Sequence, residues 1–87
     1  MGEYLFTEDA MEDYIYWQGQ DRKTLKRINT LLKAVSRSPY TGEGKPEALR
    51  GEKGKWSRRI NEKDRLVYRV EDGTVTIYQC RGHYEDN

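Results

Sequence analysis

The stretch "LKRINTLLKAV", residues 25–35, carries the clearest periodic signal in the chain. Its apolar side chains recur at spacings of three and four, at Leu25, Ile28, Leu31, Leu32 and Val35. This spacing predicts an amphipathic helix with one buried face, while lysines and arginines take the opposite side. Asp21 is placed to cap the start of the helix, and Pro39 ends it because a proline disfavours a helical conformation at Ser38.

A second helix is predicted upstream of this one. "EYLF", residues 3–6, reads as a short strand, and Thr7 follows it as a helix N-cap before several acidic residues. The helix is expected to run to about Gln18, with Gly19 as a natural stop. Its apolar side chains are expected to cover one broad face, made by Met11, Tyr14, Ile15 and Trp17.

The second half of the chain predicts a loop and then a sheet. Residues 41–56 contain four glycines and a proline, which is typical of a loop. Three strand-like runs follow, at residues 55–60, 64–70 and 74–84, with a tight hairpin at 71–73. The fold class is therefore α+β, one domain over residues 1–87, with two N-terminal helices packed on a small, twisted, mainly antiparallel sheet.

Alternation along the predicted strands assigns side chains to faces. Arg65, Val67 and Arg69 alternate with residues that pack on the helices, so Arg65 is expected to point toward solvent or a ligand. Counting by twos from Val75 and Ile77 places Arg81 and His83 on the core face. A bulge at Gly82 would change that parity and re-aim His83.

Charge is strongly segregated along the chain although the net charge is only +1. Residues 1–20 hold five acids and no Lys or Arg, whereas residues 21–69 hold fifteen bases and six acids, a net +9. Residues 70–87 hold four acids and one base, a net −3. The central segment is typical of a polyanion-binding surface, although a solvated helix face with basic loops has about the same charge pattern.

Several classes of protein are disfavoured. A single cysteine, Cys80, cannot form an intramolecular disulfide, and no signal peptide or membrane-spanning run is visible, so a soluble cytoplasmic protein is expected. Cys80 and His83 alone cannot complete a metal site, so neither a metal nor another cofactor is expected. A Cys–His nucleophile pair within one four-residue stretch is also disfavoured.

A carboxylate, arginines and a histidine together indicate a particular reaction. A lone histidine near a terminus and a loop glutamate are each more often ordinary surface residues. In combination, Glu47 could remove the 2′-OH proton of RNA, Arg65 could stabilise the phosphorane, and His83 could protonate the leaving oxygen. Guanidinium groups on neighbouring strands suit phosphate binding, and we expect Arg58 and Arg59 to join Arg65 on that surface.

Four segments in order resemble one family: "DYIYWQ", "INTLLKAVSRSPYTGEGKPEALRG", "WSRRINEKDRLVY" and "CRGHY". Together they resemble the YoeB/Txe toxins of the RelE superfamily over nearly the whole chain. The resemblance implies a RelE-like fold and a ribosome-dependent mRNA interferase. It further implies inhibition by a YefM/Axe-type antitoxin, through which the toxin reaches operator DNA, and a homodimer is possible.

Carried over by position, the resemblance assigns roles to individual residues. It makes Glu47 the general base, Arg65 the phosphate-stabilising arginine and His83 the general acid. Tyr84 matches a tyrosine that helps to arrange the site.

The resemblance also makes Lys45 and Arg59 basic positions that face RNA.

The main alternative function is a non-catalytic RNA- or ribosome-binding module. A DNA-binding repressor ranks below it, because the second helix offers mainly lysines and arginines rather than base-reading side chains.

Overall fold

The computed structural model describes residues 2–82, which form two helices and a five-stranded sheet. The elements are β1 (Glu3–Phe6), α1 (Glu8–Gln20), α2 (Arg22–Arg37), β2 (Glu47–Ala48), β3 (Lys55–Arg59), β4 (Arg65–Glu71) and β5 (Thr74–Gln79). The strand order is β1-β5-β4-β3-β2, in which β1 runs parallel to β5 and the other neighbours are antiparallel. The α+β prediction is confirmed. No helix within residues 2–82 is long and apolar enough to cross a membrane.

The two helices are joined through one aspartate. The Thr7 hydroxyl caps α1 by accepting from the Ala10 N–H, as expected. The helix continues through Gly19 to Gln20 and ends at Asp21, whose extended backbone (φ −155°) breaks it. Asp21 then caps α2 by accepting from the N–H groups of Lys23 and Thr24, and its hydrogen bonds from Thr24 lower the pKa of its carboxyl. The helix is therefore two residues longer than predicted, because it ends at the cap Asp21 and not at Gly19.

The core lies between the helices and one face of the sheet. The predicted apolar stripe of α2 is confirmed, with Ile28, Leu31 and Val35 fully buried. On α1 only Ala10 and Trp17 are buried, while Met11 and Ile15 stay 42% and 56% exposed. Of the broad apolar face predicted for α1, Trp17 lies in the core and Tyr14 packs against it, whereas Met11 and Ile15 remain exposed.

A bulge in β5 corrects the predicted parity of the last strand. Val67 pairs with Gln79 but its neighbour Tyr68 pairs with Ile77, so β5 has one extra residue there. Beyond that shift Cys80 is buried and Arg81 is exposed, with its guanidinium 3.7 Å from the Tyr16 ring centroid. Counting by twos placed Arg81 on the core face, but the register shift turns it outward, and this irregularity lies inside β5 and not at Gly82.

Candidate active site

The sheet has an outer face, turned away from the helices, on which three of the predicted residues lie. Residues directly opposite each other on paired strands share a face. One row across the outer face consists of Glu47, Ser57, Val67 and Gln79. The next row contains Arg59 of β3 directly opposite Arg65 of β4. Glu47, Arg59 and Arg65 are therefore neighbours on one surface, although they are far apart in sequence.

The Arg59–Arg65 pair places two positive charges side by side. Like charges directly opposite on a sheet are unfavourable, and an anion between them removes the repulsion. Nη1 of Arg65 donates to three main-chain carbonyls, those of Asn61 (2.8 Å), Glu62 (3.3 Å) and Asp64 (3.2 Å). Within residues 2–82 its Nε and Nη2 have no hydrogen-bond partner, so an oriented pair of donors remains for a phosphate.

Glu47 lines a cleft beside this pair. The cleft has a volume of about 360 Å³ and is lined by Lys45, Pro46, Glu47 and Arg59. Glu47 is exposed at the start of β2, a two-residue strand that was not predicted within the loop. Lys45 has a φ of 52°, a left-handed conformation that is uncommon for a residue with a side chain. The cleft thus joins one carboxylate to two cations at a locally strained turn.

The loop before Glu47 is attached closely to β3. Arg59 N–H donates to the Gly44 carbonyl at 2.7 Å. Gly44 has a φ of +86°, and a Cβ there would lie 3.1 Å from both the Arg58 Cβ and the Leu31 Cδ2. Only glycine fits this approach without displacing core atoms, so Gly44 sets how closely the cleft approaches the sheet.

Arg58 lies on the inner face and is fully buried, so the prediction that it faces RNA is wrong. Its guanidinium donates to the carbonyls of Glu43 (3.0 Å), Thr41 (2.9 Å) and Ser38, and its Nε donates to the Tyr68 hydroxyl at 3.1 Å. The physical reason is the alternation of a strand, which points Arg58 and Arg59 to opposite sides. Arg58 is a structural cation that holds the loop.

The Tyr68 hydroxyl completes this buried network. It donates to the Pro39 carbonyl at 2.6 Å and accepts from Arg58. Burial raises the pKa of Tyr68, so the hydroxyl stays protonated and keeps its role as a donor.

The end of the described chain lies next to Arg65. The Arg65 N–H donates to the Gly82 carbonyl at 3.0 Å. Asp64, which sequence reasoning did not select, accepts from the Gly82 N–H through Oδ1 at 2.7 Å. His83 and Tyr84 follow directly in the sequence and lie outside the described residues.

Cys80 is part of the same C-terminal segment and is structural. Its carbonyl accepts from Trp17 Nε1 at 2.8 Å, and its N–H donates to Asp13 Oδ2 at 3.0 Å. Burial raises the pKa of its thiol to about 12. The thiol therefore stays protonated at neutral pH and is not available as a nucleophile.

Comparison with known proteins gives one consistent family. Residues 6–84 match the family model described as the YoeB-like toxin of bacterial type II toxin–antitoxin systems. Toxin YoeB of Synechocystis sp. is 51% identical over 81 residues, covering 92% of this chain and 94% of the relative. Toxin YoeB of Escherichia coli K12 is 47% identical, covering 92% and 96%.

Two solved structures from Staphylococcus aureus are similar over almost their whole length. The YoeB dimer has a TM-score of 0.91 and 45% identity, covering 95% of this chain and 98% of that chain. The heterotetrameric YoeB–YefM toxin–antitoxin complex has a TM-score of 0.88 and 44% identity, covering 97% and 99%.

Proposed function

The chain belongs to the family of YoeB-like toxins of bacterial type II toxin–antitoxin systems, and we propose that it is a ribosome-dependent endoribonuclease that cuts mRNA in the decoding site. The observation that carries this proposal is the convergence of Glu47, Arg59 and Arg65 on one face of the sheet. A base, an oriented cation and an anion-binding pair are the groups that metal-free RNA cleavage requires.

The proposed reaction is an internal transfer at one phosphate. Glu47 removes the 2′-OH proton, the 2′-oxygen attacks the phosphorus, and the bond from phosphorus to the 5′-oxygen breaks. His83 gives its proton to the departing 5′-oxygen. The products are a 2′,3′-cyclic phosphate and a 5′-OH end, so atoms and protons balance without water or metal.

Cationic groups stabilise the charge that develops during this transfer. The Nε and Nη2 of Arg65, which have no hydrogen-bond partner within residues 2–82, are available to bind two phosphate oxygens through parallel hydrogen bonds, and this contact strengthens as negative charge builds up. Lys45 and Arg59 hold the flanking phosphates at the cleft. Tyr84 helps to arrange the site.

The distance between the base and the arginine suits a nucleotide. Glu47 and Arg65 lie on strands separated by β3, which places their main chains about 10 Å apart in the direction across the sheet. Both have long side chains on the outer face, so their functional groups can approach one sugar–phosphate unit from two sides.

We further propose that a YefM/Axe-type antitoxin inhibits the protein in the cytoplasm and links it to operator DNA. The S. aureus relative has been solved with YefM and as a dimer, which supports an antitoxin partner and a homodimer here. Because the outer face is cationic, the inhibitory segment is expected to present acidic side chains. Raising the salt concentration should therefore weaken the complex.

The test uses ribosomes that translate a defined end-labelled message. Wild type is compared with Glu47→Ala, His83→Ala and the control Glu62→Ala, which removes an exposed carboxylate from the loop after β3. We expect cuts confined to the decoding site with cyclic phosphate ends, slowed about 10²-fold or more in the first two variants. Ribosome binding without cleavage by wild type would instead establish a non-catalytic RNA-binding module.

A further inference from the structure

We propose that Asp64 is a positioning residue: by fixing Gly82 beside Arg65, it supports the proton transfer that the proposed function assigns to His83. This inference rests on the proposed function, because it concerns the general acid of that reaction. It adds a residue that neither the sequence motifs nor the predicted catalytic set contains.

The Asp64 carboxylate is itself held in place before it binds the C-terminal segment. Its Oδ2 accepts from Asn61 Nδ2 at 3.1 Å, and its own N–H donates to Asn61 Oδ1 at 2.7 Å. The Asp64 carbonyl accepts from the Ile60 N–H at 3.0 Å, which closes the β3–β4 connection. Because hydrogen bonds fix both the side chain and the main chain of Asp64, its Oδ1 faces Gly82 in a defined direction.

Both main-chain polar groups of Gly82 form hydrogen bonds, one with Asp64, which precedes β4, and one with Arg65, the first residue of β4. Its N–H donates to Asp64 Oδ1 at 2.7 Å, and its carbonyl accepts from the Arg65 N–H at 3.0 Å. That carbonyl belongs to the planar peptide unit that leads to position 83. The main chain of Arg65 therefore holds the Gly82 carbonyl, and the same residue supplies the phosphate-binding guanidinium.

The remaining contacts of Gly82 are weaker than the one from Asp64. Gln79 Nε2 donates to its carbonyl at 3.3 Å, a longer bond to a neutral group. Gly82 also has a φ of +93°, and among residues 2–82 no atom lies within 4 Å of an added Cβ. Without the charge-assisted bond that the Gly82 N–H donates to Asp64, few of the contacts described within residues 2–82 would maintain this backbone conformation.

The expected effect is on the chemical step and not on substrate binding. Asp64 is not among the residues that line the cleft, whereas proton transfer in the reaction needs the donor within hydrogen-bond distance of the leaving oxygen. We expect Asp64→Ala to lower kcat by about 10- to 100-fold with KM for translating ribosomes unchanged. Asp64→Asn keeps an acceptor oxygen and should stay within about threefold of wild type.

The matched control is Glu62→Ala, which removes a carboxylate two residues away and should leave kcat unchanged. All variants are assayed below their measured melting temperatures, so a loss of folded protein is excluded. Amide exchange gives a readout besides activity, since the Gly82 N–H should exchange much faster in Asp64→Ala than in wild type. Unchanged exchange at Gly82 would overturn the inference.

A double-mutant cycle with His83→Ala separates positioning from general stabilisation. If Asp64 acts through position 83, Asp64→Ala should cost less than about twofold in the His83→Ala background. An equal loss in both backgrounds overturns this inference and leaves the proposed function standing. If His83→Ala alone cuts as fast as wild type, the proposed role of His83 fails, and the inference about Asp64 fails with it.

Discussion

Two segments reach the proposed site, and opposite charges hold them. Residues 38–44, the loop segment, lead to the cleft that contains Glu47, and the buried cation of Arg58 holds their carbonyl groups. Residues 80–82, the C-terminal segment, end beside Arg65, and the carboxylates of Asp13 and Asp64 hold their N–H groups. The first attachment is part of the core, whereas the second lies near the surface.

This difference indicates how rigid each half of the site is. Arg58 is fully buried and makes four contacts with groups of the loop and Tyr68, so releasing the loop segment leaves several buried polar groups unsatisfied. Releasing Gly82 breaks a few bonds in a partly exposed segment. We therefore expect the loop segment, which leads to Glu47, to detach only when the core unfolds. The C-terminal segment is expected to detach in local openings that leave the core folded.

The largest effect is expected when the buried cation is removed. Arg58→Ala should lower the free energy of unfolding by about 3–5 kcal/mol, because the carbonyls of the loop segment lose their donors inside the protein. Chemical denaturation measures this, with Arg59→Ala as the neighbouring exposed control, expected to change the free energy of unfolding by no more than about 1 kcal/mol. Equal losses in the two variants would contradict the assignment of Arg58 to the core. Arg58→Lys is a milder variant if Arg58→Ala does not fold.

A smaller loss is expected from the other member of the same network. Tyr68→Phe removes the hydroxyl that donates to the Pro39 carbonyl and accepts from Arg58. We expect a loss of about 1–3 kcal/mol, because both partners are left buried and unsatisfied. Tyr78→Phe, a change at a tyrosine on the outer side of the sheet, is the control for denaturation. If Tyr68→Phe leaves the free energy of unfolding unchanged, Arg58 holds the loop segment without the Tyr68 hydroxyl.

The Arg59–Arg65 pair contacts both segments, since Arg59 N–H donates to Gly44 and Arg65 N–H donates to Gly82. Removing the charge of Arg59 should stabilise the protein slightly. Arg59→Gln relieves the like-charge pair with Arg65 and should raise the free energy of unfolding by about 0.2–1 kcal/mol at low salt. The gain should shrink in high salt because the repulsion is screened. RNA cleavage should fall in the same variant. A gain that does not depend on salt would indicate a cause other than charge.

The smallest effect is expected at the carboxylate that holds Cys80. Burial raises the pKa of Asp13 above its usual 3.8, so its contribution to stability is present below about pH 3.8 and is lost as pH rises through the folded pKa. Asp13→Asn keeps an acceptor for the Cys80 N–H and does not titrate. Its stability relative to wild type should therefore increase over that pH window, as measured by melting at a series of pH values. Parallel pH profiles would show that the carboxyl is not desolvated.

The sequence predicted the elements more reliably than the direction of single side chains. The stripe of α2 and the caps at Thr7 and Asp21 depend on local patterns, so they were correct. Met11, Tyr14, Ile15 and Trp17 were assigned to one broad apolar face of α1, and of these only Trp17 is buried. Which part of such a helix is buried depends on the partners that pack against it, and these are not local in sequence.

Two arginines show the same limit within the site. Residue types and their order indicated a cationic surface, and the alternation of β4 placed Arg65 on it. Arg58 and Arg59 were assigned together although a strand must separate neighbouring side chains, and the structure places them on opposite faces. The bulge in β5 changed the parity that had been counted from Val75, because an extra residue is set by strand pairing.

By itself the sequence determined the α+β class, the helix caps and the segregation of charge, because these follow from composition and short-range periodicity. Only the tertiary structure decided that Arg59 faces Arg65, that Arg58 supports the loop segment from inside, and that Asp64 holds Gly82. The physical reason is that these contacts join residues from 15 to 20 positions apart or on separate strands. They form only when strand register and packing bring such groups within hydrogen-bond distance.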